Sequence, residues 1–192
     1  MLSAFLTSTA IVALAEIGDK TMLLAIILAA RLRAPVPILV GILAATLANH
    51  ALAALVGKEA AALLDASWFR LAVALGFIAM AAWTLVPDKF DDDDAAVKSH
   101  GGAFLTTLVA FFFVEMGDKT QVATIALGAR YQAVGIVAAG TTLGMMLANT
   151  PAVLFGEALT RRVSLKATRT AAALLFLMLG LWQLAEWANW LP

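Results

Sequence analysis

An all-α membrane protein of six transmembrane helices, arranged as two inverted-topology three-helix repeats, is the fold class this sequence predicts. Three observations predict it. Of 192 residues 62% are hydrophobic, six apolar runs are long enough to cross a bilayer, and an acidic motif in the first run returns in the fourth. A mean hydropathy of +0.92 leaves too little polar surface to cover a soluble globule, so the solvent is lipid. Charged residues make up 14% and sum to zero, which excludes a nucleic-acid-binding surface. With no cysteine, disulfide frameworks, thiolate metal sites and cysteine nucleophiles are excluded together.

Crossing a hydrocarbon core of about 30 Å takes roughly 20 helical residues. Runs of that kind cover residues 2–30, 36–57, 68–86, 103–129, 133–156 and 170–188. The first lacks a basic leader region and carries Glu16, Asp19 and Lys20 where a signal peptide would continue apolar, so it reads as a mature helix. Loops after the first, third and fifth runs hold eight Lys and Arg, against three on the other side when Arg70, at the start of the third run, is counted with Lys58 and Arg130. The positive-inside rule then places the former in the cytoplasm and both termini outside. Trp68, Trp187 and Trp190 fit the outer interface and Trp83 the inner one, while Trp182 fits neither. With no added targeting segment, a bacterial plasma (inner) membrane is the expected location.

The repeat organises the rest. Ala15-Glu16-Ile17-Gly18-Asp19-Lys20-Thr21 returns as Val114-Glu115-Met116-Gly117-Asp118-Lys119-Thr120. Ala30-Arg31 matches Ala129-Arg130, Leu47-Ala48-Asn49 matches Leu147-Ala148-Asn149 with one inserted residue, and Gly57 matches Gly156. The halves are residues 1–86 and 103–192, joined by an acidic loop at 87–102. Because each half has three helices, the second enters the membrane in the opposite sense, with a pseudo-twofold axis in the membrane plane.

Glu, Asp or Lys at the centre of a membrane helix costs about 2.5 to 3.5 kcal/mol on insertion scales. Each motif therefore opposes insertion by roughly 9 kcal/mol, a cost that asks for a function. Read as continuous helix, Glu16 with Asp19 and Glu115 with Asp118 share a face, and four carboxylates converge where the repeats cross. Oxygen donors without thiolate or imidazole suit Mn2+, Ca2+ or Mg2+. Four acids with the charge-balancing Lys20 and Lys119 sum to minus two, matching one divalent cation. Gly18 and Gly117 permit either close helix approach or a local break that turns carbonyls toward a cavity. Thr21, Thr120 and Gln121 add neutral oxygens nearby, Asn49 and Asn149 offer amide oxygens at matched depth, and Pro151 would release the carbonyl of Leu147. The alternative is purely structural: Glu16 with Lys20, and Glu115 with Lys119, have the spacing of intrahelical ion pairs. That account leaves both aspartates uncompensated.

Two E-x-G-D-[KR]-[TS] motifs, Glu16 to Thr21 and Glu115 to Thr120, in the first and fourth of six spans with an acidic loop between, resemble a small cation/proton exchanger family. It includes human Golgi transmembrane protein 165, its yeast counterpart and bacterial manganese exporters, and is grouped with the LysE-type exporters. The resemblance covers essentially the whole chain. It implies that the motif acids bind the transported ion, that Mn2+ first, or Ca2+, is exported in exchange for protons, and that the central loop is cytosolic. The loop side agrees with the charge count.

Lesser features have ordinary readings beside functional ones. Asp88 and the run 91–94 could gather cations or form a solvated loop. His50, beside Asn49, could relay protons, although its repeat mate is Thr150; His100 lies in the loop. Met116, Met145 and Met146 offer thioethers but suit packing. An enzyme is not expected: there is no H-E-x-x-H and no Cys, and although the paired carboxylates are available for acid/base work, the inverted repeat argues for transport. Export of a cationic amino acid and a non-transporting scaffold are the alternatives to cation export. No cofactor is expected, the metal being cargo, and the partners are the cation, protons and lipid.

Overall fold

The computed structural model describes residues 1–63, 66–86, 101–156 and 164–188. Its described residues are all-helical, in eight helices: α1 Leu2–Glu16, α2 Lys20–Leu32, α3 Pro35–Leu63, α4 Ala66–Leu85, α5 Ala103–Glu115, α6 Lys119–Tyr131, α7 Val134–Phe155 and α8 Leu165–Trp187. Helices α3, α4, α7 and α8 are long and apolar enough to cross a membrane. The apolar runs expected at 2–30 and 103–129 are not continuous helices. Each is broken at its motif into two pieces, α1 with α2 and α5 with α6. The stretch 58–67, expected to be a loop, is largely helical, because α3 continues to Leu63 through Lys58-Glu59 and an alanine-rich turn. Trp190, His100, Asp88 and the acidic run 91–94 lie outside the described residues.

The surface is inverted relative to a water-soluble protein. Leu43, Leu52, Leu147, Phe113, Met178 and Leu181 are exposed, whereas Glu16, Glu115, Asn49, Asn149, His50 and Thr46 are buried. Apolar residues outside and polar groups inside suit a lipid solvent, where an unsatisfied polar group on the outer face would cost several kcal/mol. The chain is an integral membrane protein.

The two halves agree at backbone level. Helices α2 and α6 each have 13 residues and end on a left-handed cap, Arg33 at φ 49° and Gln132 at φ 52°. These caps are 99 residues apart, as are the motif glutamates, and their N–H groups bond the carbonyls of Ala29 and Gly128. The halves do not fold as separate bundles. Helix α1 packs on α7, α5 and α6 pack on α3, α3 packs on α7, and α4 packs on α8, so the main helix contacts all run between halves.

Matched residues mediate matched contacts. A Cβ added to Gly41 would lie 2.8 Å from the carbonyl oxygen of Phe104, and one added to Gly140 would lie 2.7 Å from that of Phe5. Both members of each contact are shifted by the same 99 residues. Phe77 and Phe176, also 99 apart and fully buried, stack with ring centroids 6.4 Å apart. Lipid is as apolar as a core, so close packing over small residues, rather than burial from water, joins such helices.

Candidate functional site

Both motifs fold into the same turn. Glu16 ends α1 and Glu115 ends α5; Ile17 (φ −66°, ψ 109°) and Met116 (φ −66°, ψ 119°) are extended, and Gly18 and Gly117 follow at φ 85° and 80°. The N–H of Asp19 donates to the carbonyl of Glu16 at 3.0 Å, and that of Asp118 to Glu115 at 3.2 Å. This is a type II β-turn, whose third position needs a positive φ and hence glycine. Of the two roles open to these glycines, the break is the one seen. At Gly117 an added Cβ would meet nothing within 4 Å, so close helix approach does not require glycine there.

Asp19 and Asp118 are then the N-caps of α2 and α6. Aspartate favours that place because its oxygen can accept an unpaired N–H of the first turn, as Asp118 does from Thr120 at 3.4 Å. Each aspartate sits at the positive end of a helix dipole, where a carboxylate is stabilised. Each glutamate sits at a negative end, where it is not. The three-residue spacing reflects the i to i+3 closure of a turn, not a shared helix face.

The turns of the two halves meet inside the protein. Carboxylate oxygens of Glu16, Asp19 and Asp118 all lie within 4.8 Å of one another, and the three residues are 0%, 6% and 5% exposed. Glu16 is held by one hydroxyl from each half: Thr21 donates to Oε2 at 2.5 Å, and Thr120, its repeat mate, donates to Oε1. The expected convergence of four carboxylates is a cluster of three. Glu115 is fully buried, yet neither of its oxygens has a hydrogen-bond partner and it is not in the close cluster. The described structure places both threonines on Glu16.

The lysines bear on the structural alternative. The turn separates Glu16 from Lys20 and Glu115 from Lys119, so neither pair shares one helix. Lys20 crosses to the other half, with Nζ 3.5 Å from Asp118 Oδ1. Lys119 donates to the carbonyl of Val86 at 2.9 Å and lies over the Trp83 ring, 5.9 Å from its centroid.

The neutral groups divide. Gln121 Oε1 accepts from the Gly117 N–H at 2.7 Å and so braces the turn, rather than offering that oxygen freely to an ion. Asn49 donates to the carbonyl of Phe112 at 2.9 Å, tying α3 to the last turn of α5. Asn149 donates to the carbonyl and sulfur of Met145, and its Oδ1 is unpartnered. Met145 thus packs in the core, while Met116 is half exposed. Both ring nitrogens of buried His50 lack partners. Pro151 lies within α7.

Space beside the cluster is small. A cavity of about 10 Å³ is lined by Gly18, Asp19, Lys119 and Thr120, with Thr84 and Arg169. A larger cavity of about 560 Å³ lies away from the carboxylates, between Arg70, Arg130, Gln183 and Glu186. It is bridged by an ion pair from Arg130 to Glu186 at 3.4 Å.

A helical membrane protein that breaks two helices at matched points and turns acids from both halves inward belongs to the class of ion-translocating carriers. Comparison with known proteins gives the particular family. The divalent cation/proton antiporter family GDT1 matches residues 4–92 and 103–190, and the chain belongs to it. A Vibrio cholerae protein named "putative manganese exporter" is 46% identical over 182 residues, covering 94% of this chain and 90% of that protein. GDT1-like protein 5 of Arabidopsis thaliana is 30% identical over 94% of this chain and 95% of its own length. The GDT1-like protein sll0615 of Synechocystis is 30% identical over 92% and 94%. No solved structure matches the chain. The family is one of transporters, not enzymes.

Proposed function

We propose that the protein exports Mn2+ across the plasma membrane in exchange for protons, through a site made of Glu16, Asp19 and Asp118. The observation that carries this reading is the meeting, within 4.8 Å, of carboxylate oxygens from both halves. Such hard donors suit Mn2+ or Ca2+, and the name of the Vibrio cholerae relative favours manganese. Three carboxylates carry minus three, so one divalent ion offsets most of the charge of the cluster. Thr21 and Thr120 orient the Glu16 oxygens, and protons compete with the metal for the same carboxylates. A cationic amino acid fits poorly, because the adjoining cavity of about 10 Å³ holds little more than one water-sized body.

In this reading α1 with α2, and α5 with α6, each make one span, giving six spans and an inverted repeat. Helices α1 and α2 have 15 and 13 residues, about 22 and 20 Å at 1.5 Å per residue. Neither crosses the hydrocarbon core alone, but together they do. The shared shift of 99 residues in the caps, the glycine contacts and the Phe77–Phe176 stack supports the pseudo-twofold relation. Glu115 takes over the part of Glu16 when the halves exchange conformations, which is how such repeats alternate access.

Two experiments test this. In proteoliposomes, Mn2+ flux should rise when the opposite side is acidified and fall when the gradient is collapsed, with excess lysine or arginine having no effect. Flux indifferent to the pH gradient would make the protein a passive channel. Topology follows from the charge asymmetry: a tag inserted at residues 91–94 should be cytoplasmic and a C-terminal reporter external. A cytoplasmic C-terminus would overturn the inverted repeat.

A further inference from the structure

We propose that Lys20 is a tethered counter-ion that competes with the transported cation for Asp118. The inference rests on the carboxylate site proposed above and assigns a role to a residue outside it. Lys20 begins α2 in the first half, and its ammonium reaches across the repeat interface to within 3.5 Å of Asp118 Oδ1. Asp118 also supplies one of the three carboxylate oxygens that lie within 4.8 Å of one another. A divalent cation sits about 2.0 to 2.6 Å from its oxygen ligands. An ammonium left in place would then stand within roughly 6 Å of the ion, where like charges in a partly desolvated site repel strongly. The two cations therefore exclude each other.

The side chain is suited to leave. Lysine carries a point charge on a flexible four-carbon stem, and that of Lys20 is 22% exposed while Asp118 is 5% exposed, so it reaches the cluster from its accessible side. When the ion leaves, Lys20 returns and keeps the cluster nearer to neutral. The carrier can then reorient with less net negative charge on the cluster in the membrane interior.

Competition makes a prediction opposite in sign to that of a structural ion pair. Removing a structural pair loosens the site and weakens metal binding; removing a competitor strengthens it. Mn2+ binding to the purified full-length protein, measured by calorimetry or by the loss of free-Mn2+ electron paramagnetic resonance signal, distinguishes the two. Lys20→Met should lower the Kd about tenfold and reduce the maximal rate of net Mn2+ efflux from proteoliposomes. Lys20→Arg should restore a Kd near that of the wild type. Lys20→Gln carries the same expectation as the methionine variant and serves if that variant does not accumulate. If wild-type protein binds Mn2+, Asp118→Asn abolishes binding, and both neutral Lys20 variants bind equally or more weakly, the counter-ion role is wrong and the site stands. If Asp118→Asn binds as the wild type does, the carboxylate site is wrong and the competition falls with it.

Discussion

Asp19→Asn and Asp118→Asn are each expected to reduce Mn2+ transport by roughly a hundredfold or more, with the double variant scarcely worse than either single one. Replacing a ligand should cost at least what outer partners of a metal cost, about 10- to 100-fold. Each change also removes one of the charges that balance the ion. The fold should survive both changes, because these residues are the N-caps of α2 and α6 and asparagine caps a helix about as well as aspartate. Loss of flux with unchanged helix content would then report on the ion rather than on folding. The two aspartates come from opposite halves, so their effects are additive only if each half holds its own ion. Residues acting as a unit are strongly non-additive. Initial rates of Mn2+ uptake into proteoliposomes decide the matter: substantial flux in each single variant, with only the double variant dead, would mean two independent sites.

Much of this arrangement was legible in the sequence because its signals are local. The apolar runs gave helices, and the paired motifs gave the two places where matching turns form and acids from both meet. The break at each motif was also written in the letters, since glycine followed by an N-capping aspartate is the pattern of a type II turn leading into a helix. A helical reading of the three-residue spacing hid it, because in that reading too the spacing brings two carboxylates near each other. What no local pattern carries is how the halves meet. Lys20 choosing Asp118 rather than Glu16, both threonines turning to Glu16, and Glu115 standing apart with unpartnered oxygens all depend on contacts between segments about a hundred residues apart. Pseudo-symmetry predicts equivalent roles for mates, and the described side chains depart from it. The departure is what two halves in different conformations would produce.

Gly57→Ala should destabilise the protein by several kcal/mol, a larger effect than its single methyl group suggests. A Cβ at Gly57 would lie 2.0 Å from the carbonyl oxygen of Ile125 and 2.8 Å from the amide nitrogen of Ala129, while one at Gly128 would lie 2.4 Å from the carbonyl oxygen of Ala54. Helices α3 and α6 therefore touch backbone to backbone at two glycines one from each half, and no rotamer change can make room. Overpacking a core typically costs about 1 to 3 kcal/mol where side chains yield; here the helices themselves must part. Parting them also removes the small-residue packing that holds membrane helices together, and it shifts α6, whose N-cap is Asp118 and whose first turn carries Thr120. Gly76→Ala is the matched control, since that helical glycine in α4 has nothing within 4 Å of an added Cβ. There alanine should be neutral or stabilising by about 0.5 to 1 kcal/mol through helix propensity. Thermal unfolding of the two purified variants in the same detergent separates the effects. Equal midpoints would mean that the α3–α6 contact can open by that much without loss, and that the close approach of the two backbones is not what holds the halves together.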